Sequence, residues 1–228
     1  MTAAASALVL DLVLTVRHDG RGGVADDLAD TEGLAAWIRD HADGIDEAVV
    51  GAPLDERAAV AVRDLRTAVR SLFARAVSPG PPSRADGSRL LPAGVATARL
   101  NAAAAAVPVV PVLRWPEDGE PVADLVPAGG PGGVPGGSAG GPGGSGIGPG
   151  GSAGGPGDGL AGHPLTAVLA RAAIAFLAGP DRSRLRACHA PRCVRYFLKD
   201  HPRQEWCKPA CGNRARVARH HERHRTDG

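Results

Sequence analysis

The sequence predicts an α+β protein, mostly α with a small β-hairpin, in which a helical N-terminal domain precedes a four-cysteine knuckle that leads into a basic helix. Three observations predict it. Apolar residues recur at helical spacing in several segments of the 228-residue chain, two short apolar runs flank one polar turn, and all four cysteines crowd near the C-terminal end. Hydrophobic residues make up 43% and aromatics only 3%, so the core must consist mainly of Ala, Val and Leu. No apolar run is long enough for a transmembrane helix, which argues against a membrane partner. The apolar start from Ala3 to Val16 has no basic region before it, carries Asp11 and lacks a clean cleavage site. It reads as part of the fold rather than a signal peptide.

From Leu8 to Val16 the pattern is ambiguous between helix and buried strand. Thr31 is a plausible N-cap for a helix through Leu34, Trp37, Ile38 and His41, stopped near Gly44. Pro53, Asp55 and Glu56 suit the first turn of the next helix. Its stripe of Val62, Leu65, Val69, Leu72, Phe73 and Ala76 ends at Ser78-Pro79-Gly80. A third helix is expected over roughly Ala93 to Ala106. Val107 to Trp115 and Pro121 to Val126 then flank Glu117-Asp118-Gly119-Glu120 as a β-hairpin, with Pro108 and Pro111 demoting the first strand to an edge.

Residues 127–159 hold 18 Gly and 6 Pro in 33 positions, which predicts a disordered insertion. As a flexible coil it would reach on the order of 30 Å. A collagen helix is excluded because glycine keeps no three-residue period, and no Gly-Lys-Ser/Thr follows to make a phosphate loop. Pro164 opens a helix carrying Leu165, Val168, Leu169, Ala172, Phe176 and Leu177, closed by Gly179-Pro180. This helix is expected to return and pack on the N-terminal helices.

Charge divides the chain. Residues 1–180 hold 13 Arg and no Lys against 19 Asp and Glu, a balance of −6; residues 181–228 hold 11 Arg and 2 Lys against 5 acids, a balance of +8. A basic unit on a mildly acidic body is what a polyanion-binding appendage requires, although a solvated charged tail has the same composition.

Within that basic unit the cysteines are spaced C-x4-C-x13-C-x3-C as Cys188, Cys193, Cys207 and Cys211. Two close pairs separated by a dozen or so residues can bring four thiolates to one tetrahedral ion, and all-sulfur coordination favours one zinc per chain. Two disulfides, a thiol redox switch or an iron–sulfur site are the competing readings. His189, His201, His220, His221 and His224 lie nearby, and with four thiols available they are not required as ligands. After Cys211 a helix is expected in which Val217, with Ala218 or His221, packs on the metal core beside Phe197 and Trp206. Arg216, Arg219 and Arg223 recur at three and four residues and share another face. Asn213, Arg214, Arg216, Arg219, His220 and Arg223 are the candidate DNA contacts, with Arg214 alternatively bracing the thiolates.

The run Cys207-Lys208-Pro209-Ala210-Cys211-Gly212-Asn213-Arg214-Ala215-Arg216, preceded by Trp206 and the Cys188/Cys193 pair, resembles the CGNR zinc-finger family. The remainder is similar to the accompanying ABATE domain of stress-induced transcription regulators, through Asp11-Leu12-Val13, Leu34 with Trp37, Leu65-Arg66 and Leu100-Asn101. Two departures stand out: Leu14 replaces an Asn of the family's opening motif, and residues 199–205 replace a Ser-Arg-containing stretch. The resemblance implies a zinc-dependent, DNA-binding regulator. It divides the chain into an ABATE-like domain (1–126), the Gly/Pro-rich insertion (127–159), a helix completing that domain (160–180) and the finger (181–228).

The expected function is therefore that of a cytoplasmic, bacterial-type transcription regulator, with structural zinc, DNA as partner, a small-molecule or protein effector at the N-terminal domain, and homodimerisation left open. A finger that grips RNA or a protein, or a thiol and zinc redox sensor, are the alternatives. An enzyme is not expected, because His18, His41 and His163 have no nucleophile–base constellation around them and His18 beside Asp19 reads as a loop pair.

Overall fold

The computed structural model describes residues 3–45, 47–87, 89–128 and 163–226. The ambiguous apolar start resolves as helix α1 (Ala3–Leu14) followed by strand β1 (Val16–His18). Leu8, Val9, Leu12 and Val13 are buried at helical spacing, and Thr15 then turns the chain by donating its hydroxyl to the Leu12 carbonyl at 2.7 Å. Strand β2 (Val24–Asp26) returns antiparallel to β1.

Helix α2 (Thr31–Asp40) starts one residue earlier than the expected cap allows. Asp30, not Thr31, is the N-cap: its carboxylate accepts from the Gly33 amide at 2.8 Å, and a charged acceptor at a helix N-terminus outcompetes a hydroxyl one position on. A single 3-10 turn (Ala42–Gly44) and the short helix α3 (Glu47–Val50) follow. Asp55 caps helix α4 (Glu56–Ala76) through the Ala58 amide at 2.8 Å. The expected stripe is the buried one, from Val62 through Leu65 and Val69 to Phe73. Helix α5 (Ala93–Ala105) contributes Ala96, Leu100 and Ala103 to the same core.

Strands β3 (Val109–Arg114) and β4 (Val122–Pro127) form the expected hairpin, registered from Val109 opposite Pro127 to Arg114 opposite Val122. Of the expected disordered insertion, residues 129–159 lie outside the described residues. Helix α6 (Pro164–Ala178) begins at the expected proline, with His163 accepting the Leu165 amide at its ring nitrogen. It returns to pack against α1, α4 and α5, and Phe176 stacks on Phe73 with ring centroids 5.0 Å apart.

A 3-10 turn (Pro180–Arg184) leads to the antiparallel pair β5 (Leu185–Ala187) and β6 (Tyr196–Leu198). Leu185, Ala187 and Tyr196 belong to the same apolar core as the helices, and the Tyr196 ring meets Phe73 edge-on at 5.5 Å. The cysteine-bearing segment is thus anchored in the helical core by its first hairpin.

Two arginines of α4 tie the periphery to this core. Arg66 forks onto both carboxylate oxygens of Asp26 at 2.6 Å each, fixing β2 to α4. Partial burial alone would raise the Asp26 carboxyl, but the Arg66 hydrogen bonds and charge hold it below its ordinary value. Arg70 and Asp86, each with a side chain only 5% exposed, pair at 2.6 Å. Arg70 also donates to the Val13 carbonyl at 2.7 Å and to the Ser83 hydroxyl at 3.2 Å. The second Asp86 oxygen accepts the Tyr196 hydroxyl at 2.7 Å, and the Ser83 hydroxyl donates to the Val194 carbonyl at 2.7 Å.

Two outcomes follow from these pairs. Asp86→Ala strands a buried guanidinium and should cost about 3–5 kcal/mol in chemical denaturation, whereas Tyr196→Phe removes one hydrogen bond and should cost about 1–3 kcal/mol. The Asp26 contribution is present above the unfolded carboxylate value of about 3.9 and disappears as pH falls through the lower folded value. The stability advantage of the native protein over Asp26→Asn, measured by denaturation across pH, should therefore vanish in strong acid.

Candidate metal centre

The first cysteine pair sits at the two ends of the β5–β6 connection. Cys188 follows β5 and its amide donates to the Arg195 carbonyl at 2.9 Å, while the Cys193 amide donates to Ala190 at 3.0 Å. Between them Arg192 has φ 60°, in the left-handed region that ordinarily favours glycine. The second pair lies at the start of helix α7 (Pro209–Thr226). This helix starts before Cys211 rather than after it: proline at the first position brings a preset φ and lacks only an amide that no helix end needs. Cys207 lies just ahead of the helix and Cys211 in its first turn, where the Cys211 amide donates to Lys208 at 3.0 Å.

All four sulfurs lie within 4.8 Å of one another. Cys207 Sγ is 3.7 Å from Cys193 Sγ and 3.5 Å from Cys211 Sγ. These separations are far beyond a disulfide bond of about 2.05 Å. They match the edge, about 3.8 Å, of a tetrahedron of sulfurs placed about 2.3 Å from a zinc ion. Cys188, Cys193 and Cys211 are buried, with Ala190, Phe197 and Trp206 around them. No histidine joins the sulfur group among the described residues. His201 accepts an amide within its own loop, and His220, His221 and His224 are exposed on α7.

The electrostatics of the cluster call for a cation. Cys188 is pushed strongly down by hydrogen bonds from the Cys193 and Cys207 sulfurs, while Cys193, hydrogen-bonded to Cys188, is pushed up to about 11 and Cys207 is raised further. The sulfur–sulfur hydrogen bonds favour the thiolate form of one cysteine and disfavour it in its neighbours. A divalent ion at the centre removes that resistance, so the donor set fits one zinc of a closed site with every position taken by sulfur. Arg214 Nη2 donates to Cys211 Sγ at 3.1 Å, which offsets part of the negative charge of four thiolates.

Beyond the cluster, α7 departs from the expected packing. Val217 is 56% exposed and His221 is also exposed, so neither covers the metal core. Starting the helix at Pro209 aims Cys211, Ala215 and Ala218 inward at four- and three-residue intervals, which rotates Val217 away. Gly212 lies against Trp206, where a Cβ would come 3.1 Å from the indole ring. Arg216, Arg219 and Arg223 are exposed on a shared flank. Arg216 donates to the Asn213 side-chain oxygen at 3.1 Å, and His220 and His224 face each other at 3.2 Å. Arg214 is the one member of the expected contact set that turns back to a thiolate. Sequence reasoning did not single out Arg17, Arg192, Arg195 and Lys208 as site residues; the fold brings Arg17 of β1 beside the three that belong to the knuckle.

Metal analysis of freshly reduced protein should find about one zinc per chain, and Cys211→Ser should lower that content sharply. Chelation or acid, which protonates the thiolates, should unravel α7 by circular dichroism and lower the thermal midpoint of the remaining helices through the shared Tyr196 packing.

Residues 6–180 match the family model of ABATE, "Putative stress-induced transcription regulator", and residues 184–224 match the CGNR zinc finger. Among curated proteins none matches the chain. Both matched families are regulatory or zinc-finger families, in keeping with the sulfur cluster and the helical body. No described helix is long and apolar enough to cross a membrane. With the first match spanning well over half its length, the chain belongs to the ABATE family and carries a CGNR zinc finger after that domain.

Proposed function

We propose that this protein is a cytoplasmic transcription regulator rather than a catalyst, in which Cys188, Cys193, Cys207 and Cys211 hold a structural zinc and α7 binds duplex DNA. The observation that carries the reading is the exposed flank of Arg216, Arg219 and Arg223 on a helix whose first turn is fixed to the metal cluster. A recognition helix must be held rigidly at one end and present base-reading and phosphate-neutralising groups along one side. Asn213 and His220 extend that surface. The net +8 of residues 181–228 supplies the nonspecific attraction.

The helical body supports the regulatory half of the reading. A groove of ≈ 500 Å³ between α4, α5 and α6 has Leu72, Leu100 and Ile174 in its walls and the exposed Arg75 and Arg182 alongside. An effector combining an apolar part with a carboxylate suits it.

Zinc-loaded protein should bind duplex DNA with an affinity that falls steeply with salt, and site selection from a random library should return a defined sequence. Arg219→Ala should weaken all sequences alike and reduce the logarithmic salt slope by about one. Arg216→Ala should relax sequence preference at a cost of about 1–3 kcal/mol if it reaches a base edge. Arg214→Ala should lower zinc retention before affinity. Absence of salt-dependent duplex binding, or far tighter binding to RNA, overturns the reading.

A further inference from the structure

Where the β1–β2 hairpin meets the cysteine knuckle, the fold encloses a cleft of ≈ 400 Å³. Arg17, His18, Arg192, Arg195, Lys208 and Arg214 line it, and no carboxylate is among the lining residues. Two of these cations are already balanced: Arg17 pairs with Asp27 at 2.5 Å, and Arg214 faces the Cys211 sulfur. Arg192, Arg195 and Lys208 make no side-chain ion pair or hydrogen bond among the described residues. The sulfur cluster reaches the cleft through Cys193 and is faced by Arg214. Arg192, Arg195 and Lys208 still converge on one concavity without a carboxylate opposite them, which gives a positive field that attracts an anion.

A second observation points the same way. Arg192 occupies the left-handed backbone region at φ 60°, a conformation that glycine adopts freely and that a long side chain adopts only against steric resistance. An arginine of the cleft lining thus stands at a backbone position where glycine would meet less steric resistance. The planar forks of Arg192 and Arg195 suit two oxygens of one tetrahedral anion, and the Lys208 ammonium suits the remaining charge.

We propose that this cleft is a phosphate-binding site, formed jointly by the ABATE hairpin and the zinc knuckle, for the phosphate group of a nucleotide-sized molecule or of the nucleic-acid backbone. The cleft lies off the exposed arginine flank of α7, so the site stands independently of whether that helix contacts DNA.

The test uses the full-length zinc-loaded protein, titrated calorimetrically with inorganic phosphate and with a nucleoside 5′-monophosphate, against chloride at matched ionic strength. Saturable binding is expected. Arg192→Gly should weaken it by about tenfold or more while leaving the melting temperature unchanged or higher, because the charge is lost and the backbone strain relieved. Arg195→Ala should weaken binding similarly, and Arg57→Ala, exposed on α4 and outside the cleft lining, should leave it unaltered. Displacement of bound duplex by the monophosphate would assign the site to a backbone phosphate, and simultaneous binding would assign it to a free ligand; either supports the site. No saturable binding, or an affinity untouched by both Arg192→Gly and Arg195→Ala, overturns the proposal. Failure of duplex binding alone would remove the DNA reading and leave the phosphate isotherm standing.

Discussion

The buried ion pair between Arg70 and Asp86 is the contact on which the rest of the molecule depends. A guanidinium and a carboxylate, each removed from water, are tolerable only when nearly every hydrogen-bonding direction is used. Here they are used by the end of α1, through Val13, by the loop after α4, through Ser83, and by strand β6, through Tyr196. The Arg70 guanidinium also lies 5.4 Å from the centre of the Tyr196 ring. Three segments distant in sequence are therefore held in one arrangement by a polar cluster whose members cannot be satisfied in any other. Together with the apolar packing of Leu185, Ala187 and Tyr196, that cluster orients the cysteine-bearing segment relative to the helices.

Much of the helical scaffold was legible because its signals are local. Asp55 before an apolar stripe, Pro164 opening another, and a polar turn between two apolar runs each act over a few residues. The sulfur site was legible for the same reason: two close pairs need only one fold-back to converge. What was not legible depends on partners far along the chain. In a sequence, Arg70 and Asp86 look like ordinary surface charges, and only the fold reveals that both are buried. The outward turn of Val217 follows from Cys211 lying within α7: six residues on, at about 100° per residue, Val217 points about 120° away from the sulfur-facing side. The cleft residues Arg17 and Arg192 share no pattern that spacing could expose.

The sulfur cluster and the small residues beside it set the position of α7. The sulfur cluster takes in the first turn through Cys211, Gly212 lets the helix approach Trp206, and the small side chain of Ala215 is buried one turn on. Beyond Ala218 the described helix is solvated on all sides, so its direction is set entirely at its base. Small residues at that base are required because bulk there would tilt the whole projecting helix.

The place of α6 in the chain has a consequence for how the protein is made. Helix α6 lies against α1, α4 and α5, yet it is encoded after the hairpin and the long Gly/Pro-rich segment. Between the end of α5 at Ala105 and the start of α6 at Pro164, the ribosome must add about 60 residues, roughly 3–12 s of translation at ~5–20 residues per second. Throughout that interval the nascent chain carries Phe73 without the Phe176 ring that stacks on it, and α4 without the helix that packs against it. Low-complexity glycine and proline sequence adds little apolar surface during the wait, so the insertion delays completion of the core without supplying a competing partner for it.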